Sequence, residues 1–263
     1  MEPKHRTTAR ILDIFELVAA HPEGVSLASI SQRLSIPKSS LHPLLLTLTD
    51  RHYLYHKAKE ERYYLGESLF VVGNKYVNDA DILSEIRNIV FEISKELGET
   101  LYFGVLSDLD VLYLIKADLY SQFRVVSIPG NKLPAYSTGY GKALLSQFGP
   151  EEIRSFYPNG KLKPVTDRTI GDTDELNRQL EEIRRCGFSF EKGESTEGIQ
   201  CVGVRIENSG EVLAGLSVAV PEFRYTEERE KLFKKALKKA KHKIEQVIEQ
   251  RRSQWIYSGE AER

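Results

Sequence analysis

Over residues 8–65 the spacing of apolar side chains admits few folds: three short helical patterns follow one another, and the spacing then switches to that of strands. In residues 8–20, Ile11, Leu12, Ile14, Phe15, Leu17 and Val18 recur at helical intervals, and Pro22-Glu23-Gly24 ends the pattern. Ser26 is suited to cap a second short helix that reaches Leu34 and carries Leu27, Ala28 and Ile30. Ser35-Ile36 makes a tight turn, and Pro37 fits the first position of a third helix whose Leu41, Leu44, Leu45 and Leu48 share one face. Two β-rich runs, residues 53–56 and 62–65, then bracket the charged turn Lys57-Ala58-Lys59-Glu60-Glu61. This order predicts a winged helix-turn-helix over residues 5–66. In such a unit the helix after the tight turn enters the major groove of double-stranded DNA and the hairpin follows the phosphate backbone.

The residues expected to meet DNA follow from that reading. Lys38, Ser39, Ser40, His42 and Thr47 lie off the leucine face, and short or cationic groups there can reach base edges or phosphates. Lys57, Lys59 and Arg62 make the hairpin basic, and Arg10 and Ser26 on the first two helices complete the set. A formal net charge of −1 supplies no bulk attraction to nucleic acid, so binding has to rest on such a local patch. The same pattern also fits a small packing unit with a solvated basic face, and pattern alone leaves the two open.

The chain of 263 residues is long enough for a second, larger unit. Residues 67–84 read as a linker helix with a break at Asn78-Asp79-Ala80-Asp81, residues 85–252 as the second domain and 253–263 as a tail. After Gly98 the period becomes that of strands, over 100–107, 111–117 and 122–128. Helices are predicted over 141–148 and 151–156, and Asp172-Thr173-Asp174-Glu175 offers a capping box for a helix to Cys186. Strands near 188–190, 201–207 and 212–220 follow, the last two joined by Asn208-Ser209-Gly210, and Thr226 caps a final helix to about Arg251. The fold class is α+β, a sheet flanked by helices behind an N-terminal winged helix-turn-helix.

Composition narrows the function classes. A hydrophobic share of 41% with 29% charged residues suits a globular chain, and no run of apolar residues is long enough to span a bilayer or serve as a secretion signal, so a cytoplasmic protein without a membrane partner is expected. Two cysteines, Cys186 and Cys201, offer neither a disulfide framework nor a metal site. Five of the six histidines fall within the first 56 residues, and no P-loop, HExxH, GxSxG or CxxC pattern occurs. No catalytic residue, metal ligand or cofactor is therefore expected. Glu191, Glu194 and Glu197, beside Gly193 and Gly198, read as a solvated loop rather than as acid/base groups.

Specific stretches carry a resemblance over nearly the whole chain. Ser35-Ile36-Pro37-Lys38-Ser39-Ser40-Leu41-His42, then Leu44-Leu45, Leu48 and Tyr53-Leu54, resemble the helix-turn-helix signature of IclR transcription regulators. Leu133-Pro134-Ala135-Tyr136-Ser137-Thr138-Gly139-Tyr140-Gly141-Lys142-Ala143-Leu144-Leu145 and Glu197-Gly198-Ile199-Gln200-Cys201-Val202-Gly203-Val204 resemble that family's effector domain. The resemblance implies a GAF-like antiparallel sheet with a pocket for a small organic or aromatic acid, and a homodimer that associates into a dimer of dimers, with the linker helix the place where pairing is expected. It also implies a repressor of a catabolic operon whose DNA binding the effector modulates.

For the pocket it points to Gly139, Tyr140, Gly141, Glu191, Cys201 and Ser217. Glu191 retains a carboxylate where relatives often have an acidic residue, and Ala219 stands where some carry a second serine, which favours a less polar ligand. Tyr113, Phe123, Tyr136 and Tyr140 would wall the pocket with rings. Free N–H groups at the start of the helix near Gly141 would favour a carboxylate, although glycines before helices also serve simple turns. Relatives usually carry arginine where this chain has Pro43, and a proline seventh in a helix starting at Pro37 costs about 3 kcal/mol or more, so the helix must kink or start late. Two other readings stay open, a ligand-independent architectural DNA binder and an enzyme acting on a small carboxylate.

Overall fold

The computed structural model describes residues 5–78, 81–118 and 129–251. The chain divides into two compact units, residues 1–79 and 80–263. The expected strand over 122–128, Phe123 and the tail lie outside the described residues.

In the first unit α1 (Arg6–Ala19), α2 (Leu27–Arg33) and α3 (Lys38–Asp50) pack around Ile14, Val18, Ile30, Leu41, Leu45 and Leu48. Ser26 caps α2 by accepting from the Ser29 N–H at 3.2 Å. Pro37 occupies the N-cap of α3 rather than its first turn, so the helix begins one residue later than the sequence suggests, and Pro43 is nonetheless inside it. Its ring and missing N–H fall opposite Ser39, on the exposed side, where water can satisfy the carbonyl left without a helical donor.

The hairpin of β2 (Leu54–Lys57) and β3 (Arg62–Leu65) gains an unexpected third strand, β1 (Val25–Ser26), which pairs with β3 through Val25 and Tyr63. Arg62 donates to the Glu23 and Gly24 carbonyls, and the Tyr64 hydroxyl donates to Glu23 as well, so two wing side chains hold that strand in place. Helix α4 (Glu67–Asn78) follows, tied to the end of α3 by Ser68, whose N–H and hydroxyl donate to the His52 and Arg51 carbonyls.

The second unit is built on a six-stranded antiparallel sheet in the order β6-β5-β4-β9-β8-β7. Its strands are β4 (Thr100–Ser107), β5 (Asp110–Ala117), β6 (Lys132–Pro134), β7 (Ser189–Lys192), β8 (Ile199–Asn208) and β9 (Glu211–Pro221). Helices α5 (Asp81–Leu97) and α9 (Glu227–Gln250) cover one face, where Phe103, Val204, Leu216 and Val218 meet Ile86, Val90, Phe233 and Leu237. Helices α6 (Gly139–Leu145), α7 (Pro150–Phe156) and α8 (Thr173–Cys186) cover the other, against Tyr102, Tyr113, Cys201 and Ala219. Strands buried on both faces read as continuous apolar runs, which is why β4 shows no alternation.

Helix α6 starts two residues earlier than expected because Thr138 caps it, accepting from the Gly141 N–H. At α8, Asp172 caps as expected, accepting from the Asp174 and Glu175 N–H groups. Glu175 does not complete the capping box, because its carboxylate turns to Gln179 and Arg178.

Candidate functional site

Two surfaces bear on function, one in each unit. On α3 the side chains of Lys38, Ser39, Ser40, His42 and Thr47 are all exposed. Thr47 is less available than its type suggests, since its hydroxyl donates to the Pro43 carbonyl at 2.9 Å. In the wing, Lys57 pairs with Glu60 at 3.2 Å and lies over the Tyr64 ring, and Glu60 also accepts from the Tyr64 hydroxyl. The bond to Glu60 raises the Lys57 ammonium, and the Tyr64 hydroxyl, followed by Lys57, lowers the Glu60 carboxyl from its ordinary value. Arg62 is spent on the Glu23 and Gly24 carbonyls just before β1, whereas Lys59 is exposed at the tip; Arg10 is half-buried on α1, and the Ser26 hydroxyl serves as a cap.

In the second unit a nearly closed cavity lies between the sheet and α6. Tyr102 (β4), Tyr113 (β5), Gly139 and Tyr140 (α6), Cys201 (β8), and Ser217 and Ala219 (β9) form its walls, and Ser195 and Thr196 roof it. Its volume of ≈ 20 Å³ suits about one water-sized body, so an organic ligand enters only if the roof or walls move. Tyr140 is seated by glycines: a Cβ on Gly215 would come within 2.6 Å of its ring, and one on Gly104 within 2.6 Å of its hydroxyl. A Cβ on Gly139 would meet that of Cys201 at 2.7 Å, which sets how closely α6 approaches β8. Burial holds the Tyr102 and Tyr140 phenols far above their ordinary value, so both stay neutral donors, and neither buried hydroxyl has a partner.

Family models match on both sides of this architecture. The IclR helix-turn-helix domain matches residues 7–58, and the bacterial transcriptional regulator IclR C-terminal domain matches residues 74–246. The chain belongs to the IclR family.

Among this regulator's relatives, the HTH-type transcriptional regulator KdgR of Escherichia coli is 29% identical, with 90% of this chain and 92% of that protein covered. The acetate operon repressor of Salmonella typhimurium is 28% identical over 85% of this chain and 83% of its own length. An IclR homologue from Microbacterium hydrocarbonoxydans, solved as a complex with 4-hydroxybenzoate, superposes with a TM-score of 0.79 at 21% identity, covering 93% of this chain and all (100%) of that one. These matches make the chain a DNA-binding transcription regulator and not an enzyme, with an IclR-type fold throughout. No helix among the described residues is long and apolar enough to cross a membrane.

Of the residues the sequence assigned to this regulator's pocket, Tyr113, Gly139, Tyr140, Cys201 and Ser217 line the cavity together. Tyr136, Gly141 and Glu191 stand outside its lining. The Tyr136 ring meets Tyr157 edge-on and its hydroxyl donates to the Lys163 carbonyl. Gly141 is packed against Ala135 and Thr138, where a Cβ would lie 2.3 Å from the Ala135 carbonyl oxygen.

The glutamate run is not the solvated loop expected: Glu191 and Glu194 are buried, and only Glu197 is exposed. Glu191 sits across the strand pair from Cys201 and accepts from the Glu194 and Ser195 N–H groups, so it fixes the roof from behind. Burial raises its carboxyl, against the opposing pull of the Cys201 thiol and those N–H groups, and burial raises the thiol further still. Cys201 is therefore a buried thiol that packs in the wall, not a thiolate nucleophile.

The roof has a second anchor that the sequence did not disclose. Lys142 is 0% exposed, and its ammonium donates to both Glu194 carboxylate oxygens at 2.8 and 2.9 Å and to Gln179 at 2.8 Å. Thr169 and Thr166 donate to the Glu194 carbonyl. Tyr102, Thr138, Ser195, Thr196 and Ile199 were likewise missed as lining residues. The one sequence cue for Lys142 is its setting in Gly139-Tyr140-Gly141-Lys142-Ala143-Leu144-Leu145, a helix apolar on every side.

Proposed function

We propose that this regulator binds a small organic or aromatic acid in the cavity under residues 195–196, and that occupancy changes its hold on an operator. The observation that carries the reading is the pair of buried hydroxyls, on Tyr102 and Tyr140, left without partners in two cavity-lining residues. Buried polar groups are almost always satisfied, and neutral phenols beside Ser217 are donors suited to a carboxylate or a phenol. Among the described residues the lining carries no charged side chain, and Ile199, Cys201 and Ala219 supply apolar surface, which favours an aromatic or short aliphatic body over a highly polar one. The structural relative that holds 4-hydroxybenzoate supports the class, and the relative named as a repressor of the acetate operon supports repression of a catabolic operon.

A thermal-shift panel of 4-hydroxybenzoate, benzoate and short oxo-acids tests it. One chemical class should raise the melting temperature, by a stabilisation of about 2.7 kcal/mol at a hundredfold excess over Kd. The rise should fall in Ser217→Ala and Tyr102→Phe. No rise with any compound, or a rise indifferent to both substitutions, overturns the reading.

DNA half-sites are read in pairs, so this reading includes a dimer that brings two winged units together through α4. Phe70, Val71 and Val72 support it, because a helix that exposes three consecutive large apolar residues gains by covering them. Size-exclusion chromatography with light scattering at micromolar concentration should give a dimer or tetramer, and a Phe70→Ser, Val72→Ser variant should shift toward monomer. A wild-type chain that elutes as a monomer refutes the pairing.

A further inference from the structure

The side chains on the outward ridge of α3 are an unusual set for a helix that enters a major groove. Leu41, Leu45 and Leu48 are buried, and at 100° per residue the ridge diametrically opposite them runs through Ser39, Pro43, Leu46 and Asp50, with His42 and Thr47 beside it. From Lys38 to Asp50 there is no arginine, asparagine, glutamine or glutamate. Apart from Lys38 at its start and Asp50 at its end, the helix thus lacks the residue types that read guanine, adenine or cytosine by paired hydrogen bonds. The ridge instead presents the Pro43 ring and a Leu46 side chain that is 48% exposed. Thr47 adds to this: with its hydroxyl donated to the Pro43 carbonyl, its methyl is the group left to offer.

Asp50 at the far end repels phosphate, and Lys38 at the near end attracts it, so the ridge approaches DNA over the stretch from Lys38 to Thr47, with Asp50 held away. The apolar feature that a base pair shows in the major groove is the thymine C5-methyl group. We propose that α3 reads its operator mainly through thymine methyls, met by Pro43, Leu46 and the Thr47 methyl, rather than through hydrogen bonds to guanine. The proposal rests on the DNA-binding reading and adds its specificity: A·T-rich half-sites in which the position of each thymine, on one strand or the other, matters. Lys38 and the wing supply sequence-independent affinity, and His42 and Ser39 are left to hydrogen-bond at flanking positions.

The test uses the full chain and a pool of randomised duplexes. Selection should enrich half-sites with fixed thymines, and replacing a contacted dT by dU, which removes only the methyl, should weaken binding about fourfold per methyl. Leu46→Ala should bind more weakly and become indifferent to uracil at one position. Leu46→Met, which keeps an apolar side chain there, should retain the thymine preference. Both changes lie on the exposed ridge and should leave the circular dichroism spectrum unchanged. Enriched sites that bind equally well with uracil at every thymine, or a uracil effect that persists unaltered in Leu46→Ala, overturn the proposal alone. A pool with no enriched sequence overturns it together with the DNA-binding reading.

Discussion

Replacing Lys142 by Met will lower the melting temperature of the second unit by roughly 10 °C, and adding Glu194→Leu will restore most of the loss. The reasoning starts from desolvation. A charge buried without its partner costs about 3–5 kcal/mol, whereas a buried pair exchanged for apolar side chains of similar volume is often neutral. Lys142 has all three ammonium donors committed, two to Glu194 and one to Gln179. Removing it leaves a buried carboxylate without its ammonium, since the other hydrogen bonds of Glu194 are made by its backbone N–H, to Glu191, and its carbonyl, from the two threonines. For a unit of this size each kcal/mol is worth about 2–4 °C. The double variant distinguishes the buried charge from lost packing as the cause: if Lys142→Met, Glu194→Leu melts as low as Lys142→Met, packing at residue 142 is what mattered. Hydrogen exchange at the Ser195 and Thr196 amides should rise in the single variant, because the pair holds the roof closed at its Glu194 end.

That pair also marks where the sequence stopped being legible. Helix and strand boundaries could be read because caps and periodicity are local: Ser26, Asp172 and Thr226 each accept from the N–H groups their positions predict. Strand β1 could not, since two residues carry no periodicity and their pairing depends on Arg62 and Tyr64, nearly forty residues away. The cavity was half legible. Gly139, Tyr140 and Cys201 stand in stretches with a recognisable signature and Ser217 at a polar strand position outside them, but Tyr102 sits in a strand buried on both faces, where nothing in the alternation tells its side from that of Phe103. Charged residues misled most, because Lys142, Glu191 and Glu194 belong by type to the surface: Lys142 and Glu194 become buried by finding one another 52 residues apart, and Glu191 by accepting from backbone donors three and four residues on.

Pro43→Ala is expected to raise the melting temperature of the first unit, also by roughly 10 °C, and to loosen its choice of operator. An alanine restores the hydrogen bond to the Ser39 carbonyl and removes the ring's clash with the preceding turn, worth about 3 kcal/mol in a helix interior. The unfolded chain gives back about 0.4–1 kcal/mol, since a proline restricts it more than an alanine does. A net gain of about 2 kcal/mol in a domain of under a hundred residues moves the midpoint by about 8–16 °C. Calorimetry of the full chain, at one protein concentration, can assign the change, because Lys142→Met and Pro43→Ala should move different transitions in opposite directions. A proline that costs stability and faces outward, on a helix whose core face is complete without it, has no structural reason in the unit itself. If the ring meets a thymine methyl, the stabilised variant should lose part of its preference for dT over dU while Leu46 keeps its own. A Pro43→Ala chain no more stable than the wild type would mean that α3 already accommodates the ring at little cost, and the argument that DNA recognition retains it would lose its footing.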